Sequence, residues 1–290
     1  MRMGWAAVLL VAQLSLAGGL PGRAAAADQR TLAEICGRTL SENTIVAVQG
    51  GGGTSFGDCA IVLEGARLRI LEAALDGDRL RITGVGEANL DIVGARIRGA
   101  LEVAGSFGRV LVASSLLRGA DADIAAARGR VVVRSSTVRD GVARIATGDG
   151  RISVLRAKFF DRSFFDARFG GIDVRFSNFR DPVEAVALGT GDLAFLSNGV
   201  RGGAVFVGDQ RVVVAGNTFD ARRVGLGRLE LEGEIVLANN LTEVDATLRP
   251  TAWLIVIANT FEAGRPSITG APASCIIEDN VPPVRCPTGP

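Results

Sequence analysis

A repeat of about 21 residues runs through most of this chain and constrains its fold more than any other feature. The phrases VVVAGNTFD at 212–220 and LIVIANTFE at 254–262 are copies of one unit, in which a short strand pattern precedes a polar residue and another apolar one. A unit of this size cannot bury its apolar face alone, whereas stacked units share one continuous core. At intervals of 19 to 23 residues, the units open at Arg67, Asn89, Arg109, Arg130, Arg151, Gly171, Asp192, Arg211, Glu234, Trp253 and Ser274.

The residues within each unit favour strands over helices. Val and Ile are abundant, the apolar runs are short, and glycines separate them, with almost no helical periodicity after residue 40. The sequence therefore predicts an all-β fold, a parallel β-helix solenoid of about eleven coils whose neighbours lie ~4.8 Å apart. We assign an N-terminal cap to residues 27–60, the β-helix to residues 61–280 and a C-terminal tail to residues 281–290.

Polar residues recur at one position just after the strand pattern. Asn tolerates the left-handed backbone of a tight bend, and its amide satisfies buried backbone groups and stacks from coil to coil. Ser115 and Ser136 occupy this position upstream, and Ala73, Ala95 and Ala157 occupy it in other coils. The sequence therefore predicts a structural ladder made of Asn178, Asn198, Asn217, Asn240, Asn259 and Asn280.

An asparagine ladder of this kind resembles the right-handed parallel β-helix proteins of the pectate-lyase-like superfamily. The resemblance covers about residues 60–280, lies in the texture of the repeat rather than in a catalytic signature, and implies a right-handed coil. Polygalacturonase-like members carry a histidine-containing signature, which this chain cannot have because it contains no histidine. A rival interpretation is the pentapeptide-repeat β-helix, because an apolar residue recurs at every fifth position through Phe159, Phe164, Phe169, Val174 and Phe179.

Both ends of the repeat carry features of an exported protein. Residues 1–26 resemble a bacterial signal peptide, with Arg2, a short apolar run and small residues before a cleavage site; the alternative is an uncleaved membrane anchor. We therefore predict a periplasmic or secreted protein with no membrane span after cleavage, a destination in which cysteines form disulfides. Four cysteines allow three pairings, and the preferred one, with a disulfide at each end, is Cys36–Cys59 and Cys275–Cys286.

A short helix is predicted over residues 28–40, where it would cover the open N-terminal end of the core. Asp28 is its predicted N-cap. The inward side would consist of Leu32, Ile35 and Cys36.

Composition excludes several functional classes. The formal net charge is +1 and falls to −1 if Arg2 and Arg23 are removed, so the chain lacks the basic footprint of a nucleic-acid binder. The absence of histidine excludes Ser-His-Asp triads and histidine metal sites. The chain has no CxxC pair of the kind that binds zinc, so no metal site is assigned. It also has no glycine-rich loop with a following lysine, the motif of a nucleotide site.

Acidic residues follow the predicted ladder by three or four positions, at Asp140, Asp161, Asp181, Asp220, Glu243 and Glu262. Lyases of the resembled superfamily use such carboxylates, often with Ca²⁺, to neutralise a uronate while Lys or Arg removes a proton. On that alternative the candidate catalytic residues are Asp140, Asp161, Asp181, Lys158 and Arg180. Stacked carboxylates roughly 5 Å apart would also suit a retaining glycoside hydrolase. The competing interpretation is a solvated row of turn acids interleaved with arginines.

Three further surface patterns bear on partners. A row of coil-opening arginines, Arg67, Arg109, Arg130, Arg151 and Arg211, is either a site for an acidic glycan or a ladder of salt bridges. An outward apolar strip, open to a partner or covered by the chain itself, comprises Leu111, Val132, Val213, Val236, Ile255 and Ile276. A phenylalanine cluster between Phe159 and Phe195 is either an interior stack or a set of sugar-stacking rings.

The sequence favours an exported, non-catalytic β-helix scaffold that binds a glycan, a cell-envelope component or a protein. An acidic polysaccharide is the predicted partner class, and Ca²⁺ is a conditional cofactor of the lyase alternative. A third alternative is a self-assembly or adhesion module in which the apolar strip makes oligomers.

Overall fold

The computed structural model describes residues 28–47, 53–119, 121–222, 227–263 and 265–287. Within these residues the chain forms a parallel β-solenoid of about 11 coils, which confirms the predicted fold class. The predicted signal peptide at 1–26 lies outside the described residues.

The described residues form one short helix, α1 (Leu32–Ile35), and strands that pair in parallel with the preceding and following coils. The strands are β1 Asp28–Arg30, β2 Arg38–Leu40, β3 Thr44–Ala47, β4 Thr54–Glu64, β5 Arg67–Leu71, β6 Ala74–Val93, β7 Arg96–Ala113, β8 Leu116–Arg118, β9 Ala122–Arg134, β10 Thr137–Arg139, β11 Ala143–Leu155, β12 Lys158–Phe159, β13 Ser163–Ala167, β14 Ile172–Arg175, β15 Asn178–Phe179, β16 Val183–Ala187, β17 Leu193–Leu196, β18 Gly199–Val200, β19 Ala204–Asp220, β20 Gly227–Thr242, β21 Val244–Ile257, β22 Thr260–Phe261, β23 Ser267–Ile268 and β24 Ser274–Glu278.

Each coil has three faces, and the longest strands bend around the corners between them. In one coil, the first face is the end of β11 (residues 151–155), the second face is β12 and the third face is β13. Equivalent segments of neighbouring coils pair residue by residue, as in Arg130↔Arg151 on the first face and Lys158↔Asn178 on the second. We use the terms first, second and third face for these three stacks.

The repeat register read from the sequence is confirmed. Partners on the first face include Arg67↔Asn89, Asn89↔Arg109 and Trp253↔Ser274, which are the predicted openings of successive units. Alternate residues of most strands point into a single core of Leu, Ile, Val, Ala and Phe side chains. Coil length and strand alternation together place equivalent apolar residues directly above one another, so each coil buries its neighbour's inner face.

Two predicted ladder members are wrong by one residue. Ser177 and Asn239 are buried in the ladder, whereas Asn178 and Asn240 are exposed at the start of the second face. The left-handed conformation belongs to the residue before the ladder residue, with φ of 52° at Phe176. The next residue after the ladder therefore points outward. In the other coils the ladder consists of Ala73, Ala95, Ser115, Ser136, Ala157, Asn198, Asn217, Asn259 and Asn280.

Each polar ladder side chain accepts a hydrogen bond from the backbone N–H of the ladder residue one coil earlier. The N–H of Asn198 donates to Oδ1 of Asn217 at 2.8 Å, and the N–H of Asn259 donates to Oδ1 of Asn280 at 2.9 Å. Serine hydroxyls do the same upstream, where the N–H of Ser115 donates to Oγ of Ser136 at 3.2 Å. Buried backbone groups at the turn are thereby satisfied without water.

Both predicted disulfides are present and lie at the two ends of the solenoid. Cys36 joins Cys59, which fixes the segment after α1 to the following coil, and Cys275 joins Cys286, which holds the C-terminal tail on the last coil. The predicted N-terminal helix is shorter than expected, because Asp28 belongs to β1 and pairs with Thr44 instead of capping a helix.

Thr31 precedes α1, and its backbone N–H and its hydroxyl donate hydrogen bonds to the Glu34 carboxylate at 2.6 and 2.9 Å. These Thr31 hydrogen bonds lower the pKa of Glu34. Leu32 and Ile35 are buried, as predicted, and cover the first coils.

The phenylalanine cluster is divided between the core and the surface. Phe159, Phe179 and Phe195 are fully buried, and the rings of Phe159 and Phe179 stack at 5.0 Å. Phe164 is half-buried and Phe169 is 64% exposed. The five-residue pattern therefore does not mark one inward column, and the pentapeptide-repeat interpretation is wrong.

Candidate functional site

The structure brings Lys158 and Arg180 together on the second face. Both side chains are exposed and line one cleft of ≈ 420 Å³. The predicted carboxylates Asp140, Asp161 and Asp181 are not among the residues that line it. The five candidate catalytic residues thus do not share a cleft, although their strands are neighbours.

The three carboxylates lie at the turn that follows the second face. Oδ2 of Asp140 accepts a hydrogen bond from Nε of Arg118 at 2.8 Å. Oδ2 of Asp161 accepts one from the backbone N–H of Gly141 at 3.1 Å. These contacts serve the neighbouring coils, as expected for turn acids interleaved with arginines. In the described part of the chain, no group of three or more acidic or cysteine side chains has the arrangement of a metal site.

A column of cationic side chains lies one residue before these turn acids. It occupies the third residue after each ladder residue and points outward from the second face. Register pairs Arg98 with Arg118 and Arg118 with Arg139. We call it the arginine column, and its members are Arg98, Arg118, Arg139, Arg180 and Arg201, with Phe160 in the place of an arginine in one coil.

The acidic residues that the sequence pattern places in one row belong to two different columns of the structure. With the ladder at Ser177 and Asn239, Asp140 and Asp161 follow their ladder residues by four positions, whereas Asp220 follows Asn217 by three. The fourth position lies in the bend after the second face, where Asp140 has a φ of 63°, so the two positions belong to different parts of the surface. Counting three residues from the correct ladder would have revealed the arginine column.

Two clefts border the arginine column along the second face. The first, of ≈ 440 Å³, is lined by Arg96, Arg98, Arg118 and Arg139 together with Asp76. Its cations have acidic neighbours, with Nη1 of Arg98 lying 3.1 Å from Oδ2 of Asp76. The second cleft is lined by Lys158, Phe159, Phe160, Asn178, Phe179, Arg180, Gly199, Val200, Arg201, Thr218 and Asp220.

Aromatic contact orients one cation of the second cleft. The central guanidinium carbon of Arg180 lies 4.2 Å from the centroid of the Phe160 ring. A guanidinium stacked on a ring keeps its N–H donors in the plane, where they remain able to bind an oxyanion.

Asp220 lies at the C-terminal end of the second cleft, and its carboxylate is negatively charged. Its carboxylate accepts hydrogen bonds from the Arg222 side chain at 2.7 and 3.0 Å and from the Arg222 backbone N–H at 3.1 Å. These bonds lower the pKa of Asp220 to about 2, side-chain bonds first. The carboxylate therefore stays ionised at every pH at which the protein is expected to work.

The coil-opening arginines on the first face are largely engaged in ion pairs. Arg67 and Arg109 both bind Asp91, a carboxylate that is 3% exposed, with Nη2 of Arg109 at 2.6 Å from Oδ1. Arg151 lies 3.4 Å from Asp173. These contacts favour the interpretation of this row as a salt-bridge ladder.

The apolar strip on the first face is interrupted. Leu111 and Val132 are separated from the downstream members by Ser153 and Asp173, which occupy the equivalent position. All members are half-buried except Ile276, which is 44% exposed.

A larger groove of ≈ 790 Å³ lies on the third face, where it was not predicted. Its lining includes Ala146, Phe164, Val186 and Leu188, together with charged side chains such as Arg144. Hydrogen bonds to Asp121 and Asp123 raise the pKa of Arg144, so this cation is already paired.

The two disulfides indicate that the protein folds in an oxidising compartment. Among the described residues, no helix has the length and apolar character needed to cross a membrane.

Comparison with known proteins adds no family: no protein-family model, no curated protein and no solved structure matches this chain.

Proposed function

We propose that this chain is an exported, non-catalytic scaffold that binds a linear anionic polymer, an acidic glycan of the cell envelope, along its second face. The observation that carries the proposal is the arginine column, in which five of six successive coils carry an arginine, with coils ~4.8 Å apart along the solenoid. A polymer with repeating oxyanions is the ligand that such an array fits, because each repeat meets another cation.

The chain's other features support this setting. The two disulfides and the predicted signal peptide favour export to the periplasm or the extracellular space. The buried Ser and Asn ladder favours membership of the pectate-lyase-like superfamily and its right-handed coil. A near-zero net charge means that attraction for a polyanion comes from local segregation of charge on one face.

The non-catalytic part of the proposal rests on the separation of the candidate groups. Lys158 and Arg180 line the second cleft, whereas Asp140 and Asp161 hydrogen bond to neighbouring coils. A lyase of the alternative kind would need those carboxylates beside the proton-removing cation.

Removing two cations from the column should weaken polyanion binding. For the Arg118→Ala/Arg139→Ala variant we expect about a tenfold loss of affinity for heparin or polygalacturonate at moderate salt. The slope of log affinity against log salt concentration should fall by about two, since each lost contact releases about one counterion fewer. Surface plasmon resonance on immobilised polymer measures both quantities.

A matched control uses the coil-opening row of the first face. Arg130→Ala/Arg211→Ala removes the same charge from the alternative basic surface and should change the affinity little. An equal loss in both variants would show that net charge, not the second face, governs binding. Release of unsaturated uronate ends by the wild-type protein, abolished in Lys158→Ala, would replace the scaffold proposal with the lyase alternative.

Binding of a sulfated polymer should be insensitive to pH between about pH 8 and pH 6. The chain has no histidine, and the lowered pKa of Asp220 keeps that carboxylate ionised far below this window. Fluorescence anisotropy, with the affinity measured at each pH, tests this expectation. A change in affinity of more than about threefold across this range would contradict it.

A further inference from the structure

We infer that the arginine column is a bounded oxyanion site, which means that it binds a polymer segment of limited length. Its strongest subsite is the second cleft, at Lys158, Arg180 and Arg201. The inference rests on the proposed function, because it names the length and the anchoring unit of the chain that the second face binds. The ligand is a short segment of linear glycan whose successive units carry oxyanions, either carboxylate or sulfate.

The sign of the charge changes at both ends of the column. Asp76 pairs in register with Arg98 at the N-terminal end, and Asp220 follows Arg201 at the C-terminal end. Five coil steps separate Arg98 from Arg201, which corresponds to about 24 Å at the spacing of paired strands. Beyond Asp220 the equivalent position holds Thr242 and then Glu262, so the column itself has no cation after Arg201.

The terminal carboxylates are held in place by their own neighbours. Asp76 lies 3.1 Å from Arg98, and Asp220 is fixed by Arg222 at 2.7 Å. An anion that reaches past the column meets a paired carboxylate at either end instead of a further column cation, so each end disfavours a longer bound segment.

The cations differ in their availability along the column. Arg98 and Arg118 have acidic partners at 3.1 and 2.8 Å, and Arg139 lies 4.0 Å from Asp140. No carboxylate of the described chain lies within that ion-pair distance of Lys158, Arg180 or Arg201. An oxyanion entering the second cleft therefore meets cations without displacing an existing pair, which makes this cleft the stronger subsite.

Phe160 positions Arg180 within this subsite. In the other central coils an arginine occupies the equivalent position, whereas here the ring lies 4.2 Å below the guanidinium of the next coil. Lys158, two residues earlier in the chain, supplies the cation that the Phe160 coil lacks in the column. The stacked guanidinium presents two parallel N–H donors, the geometry that binds carboxylate or sulfate oxygens in a bidentate manner.

The second cleft, of ≈ 420 Å³, has room for a sugar unit and contains polar side chains that can hydrogen bond to its hydroxyls. Asn178 and Thr218 are exposed on either side of Gly199. A Cβ on Gly199 would lie 2.8 Å from Oδ1 of Asn178 and would crowd that amide. The glycine therefore preserves the depth of the cleft between the two polar side chains.

A length series of defined oligosaccharides tests the boundary. Sulfated and uronate oligosaccharides, from disaccharide to dodecasaccharide, would be titrated into the full chain by isothermal calorimetry. We expect affinity per binding site to rise with length until the ligand spans about 24 Å and then to level off. The series that binds more tightly identifies the oxyanion.

Variants locate the subsite. Lys158→Ala/Arg180→Ala should reduce the affinity for the shortest binding oligosaccharide by at least about tenfold, whereas Arg118→Ala/Arg139→Ala should leave it within about threefold. Arg180→Lys keeps the charge but loses the planar fork, so it should give an intermediate loss. Phe160→Leu tests positioning, because it should lower the preference for the oxyanion ligand over its methyl ester without removing a charge.

The outcomes separate this inference from the proposed function. Affinity that keeps rising well beyond the column's span, or an equal loss in the two double variants, would overturn the bounded site while leaving polyanion binding intact. Failure of the wild-type chain to bind any polyanion would overturn the proposed function itself. Thermal unfolding of each variant, whose substituted side chains are mainly exposed, confirms that it is folded before binding is compared.

Discussion

Replacing Asn217 by alanine should destabilise the solenoid by about 3 kcal/mol, because it leaves buried polar groups of two neighbouring coils without partners. Oδ1 of Asn217 accepts hydrogen bonds from the backbone N–H of Asn198 at 2.8 Å and from its side-chain Nδ2 at 3.1 Å. Its own Nδ2 donates to the carbonyl of Phe195 at 2.8 Å and to Oδ1 of Asn239 at 2.9 Å. Thermal unfolding should show a decrease in Tm of roughly 6–12 °C.

Two control variants test whether the loss of stability in Asn217→Ala comes from the ladder hydrogen bonds. Asn217→Ser keeps a side-chain acceptor, as Ser177 does in its own coil, and should cost less than alanine. Asn178→Ala removes an exposed asparagine from the neighbouring position and should change stability by no more than about 0.5 kcal/mol. If Asn178→Ala were as harmful as Asn217→Ala, the ladder register in the structure would be wrong.

The coil register was predictable because the alternation of apolar and polar residues within each repeat fixes how neighbouring coils align. A strand has a period of two, and a shift by one residue would expose the whole apolar set, so the unit openings such as Asn89 and Trp253 had to align. The disulfides were predictable for a related reason, since cysteines near the same end of a solenoid lie in the same or adjacent coils.

The ladder was less predictable because the bend after each first-face strand does not require a particular residue. The left-handed position holds Glu72, Ser114, Arg156 and Phe176 in different coils, so it carries no readable signature. At 239–240 two asparagines are adjacent, and the sequence alone does not indicate which one turns inward.

This one-residue ambiguity also hid the candidate site. An error of one position at the ladder exchanges outward residues of the second face with residues of the following turn. The shifted register places Asp140 and Asp161 in one column with Asp220 and leaves arginines such as Arg118 outside it. Only the tertiary contacts show that the acids lie in the turn and that the cations lie on the second face.

Replacing Gly170 by alanine should cost at least about 3 kcal/mol, because a Cβ at this position has no space in the stacked coils. The atom would lie 1.4 Å from the carbonyl oxygen of Gly150 in the preceding coil. Gly150 and Gly191 occupy the same corner, and a Cβ there would lie 1.5 and 1.8 Å from the preceding carbonyl oxygen. Each clash is with backbone, so no side-chain rotation relieves it.

Gly57→Ala is the matched control, since a Cβ on Gly57 has no atom within 4 Å and its φ lies outside the left-handed region. Chemical denaturation should show a large loss for Gly170→Ala and a change of no more than about 0.5 kcal/mol for Gly57→Ala. Gly170 lies in the chain between Lys158 and Arg180, so separating its coil from the next should also weaken oxyanion binding in the second cleft. Equal stability of the two variants would mean that the corner coils are farther apart than the structure places them, and the spacing of the arginine column would then lose its basis.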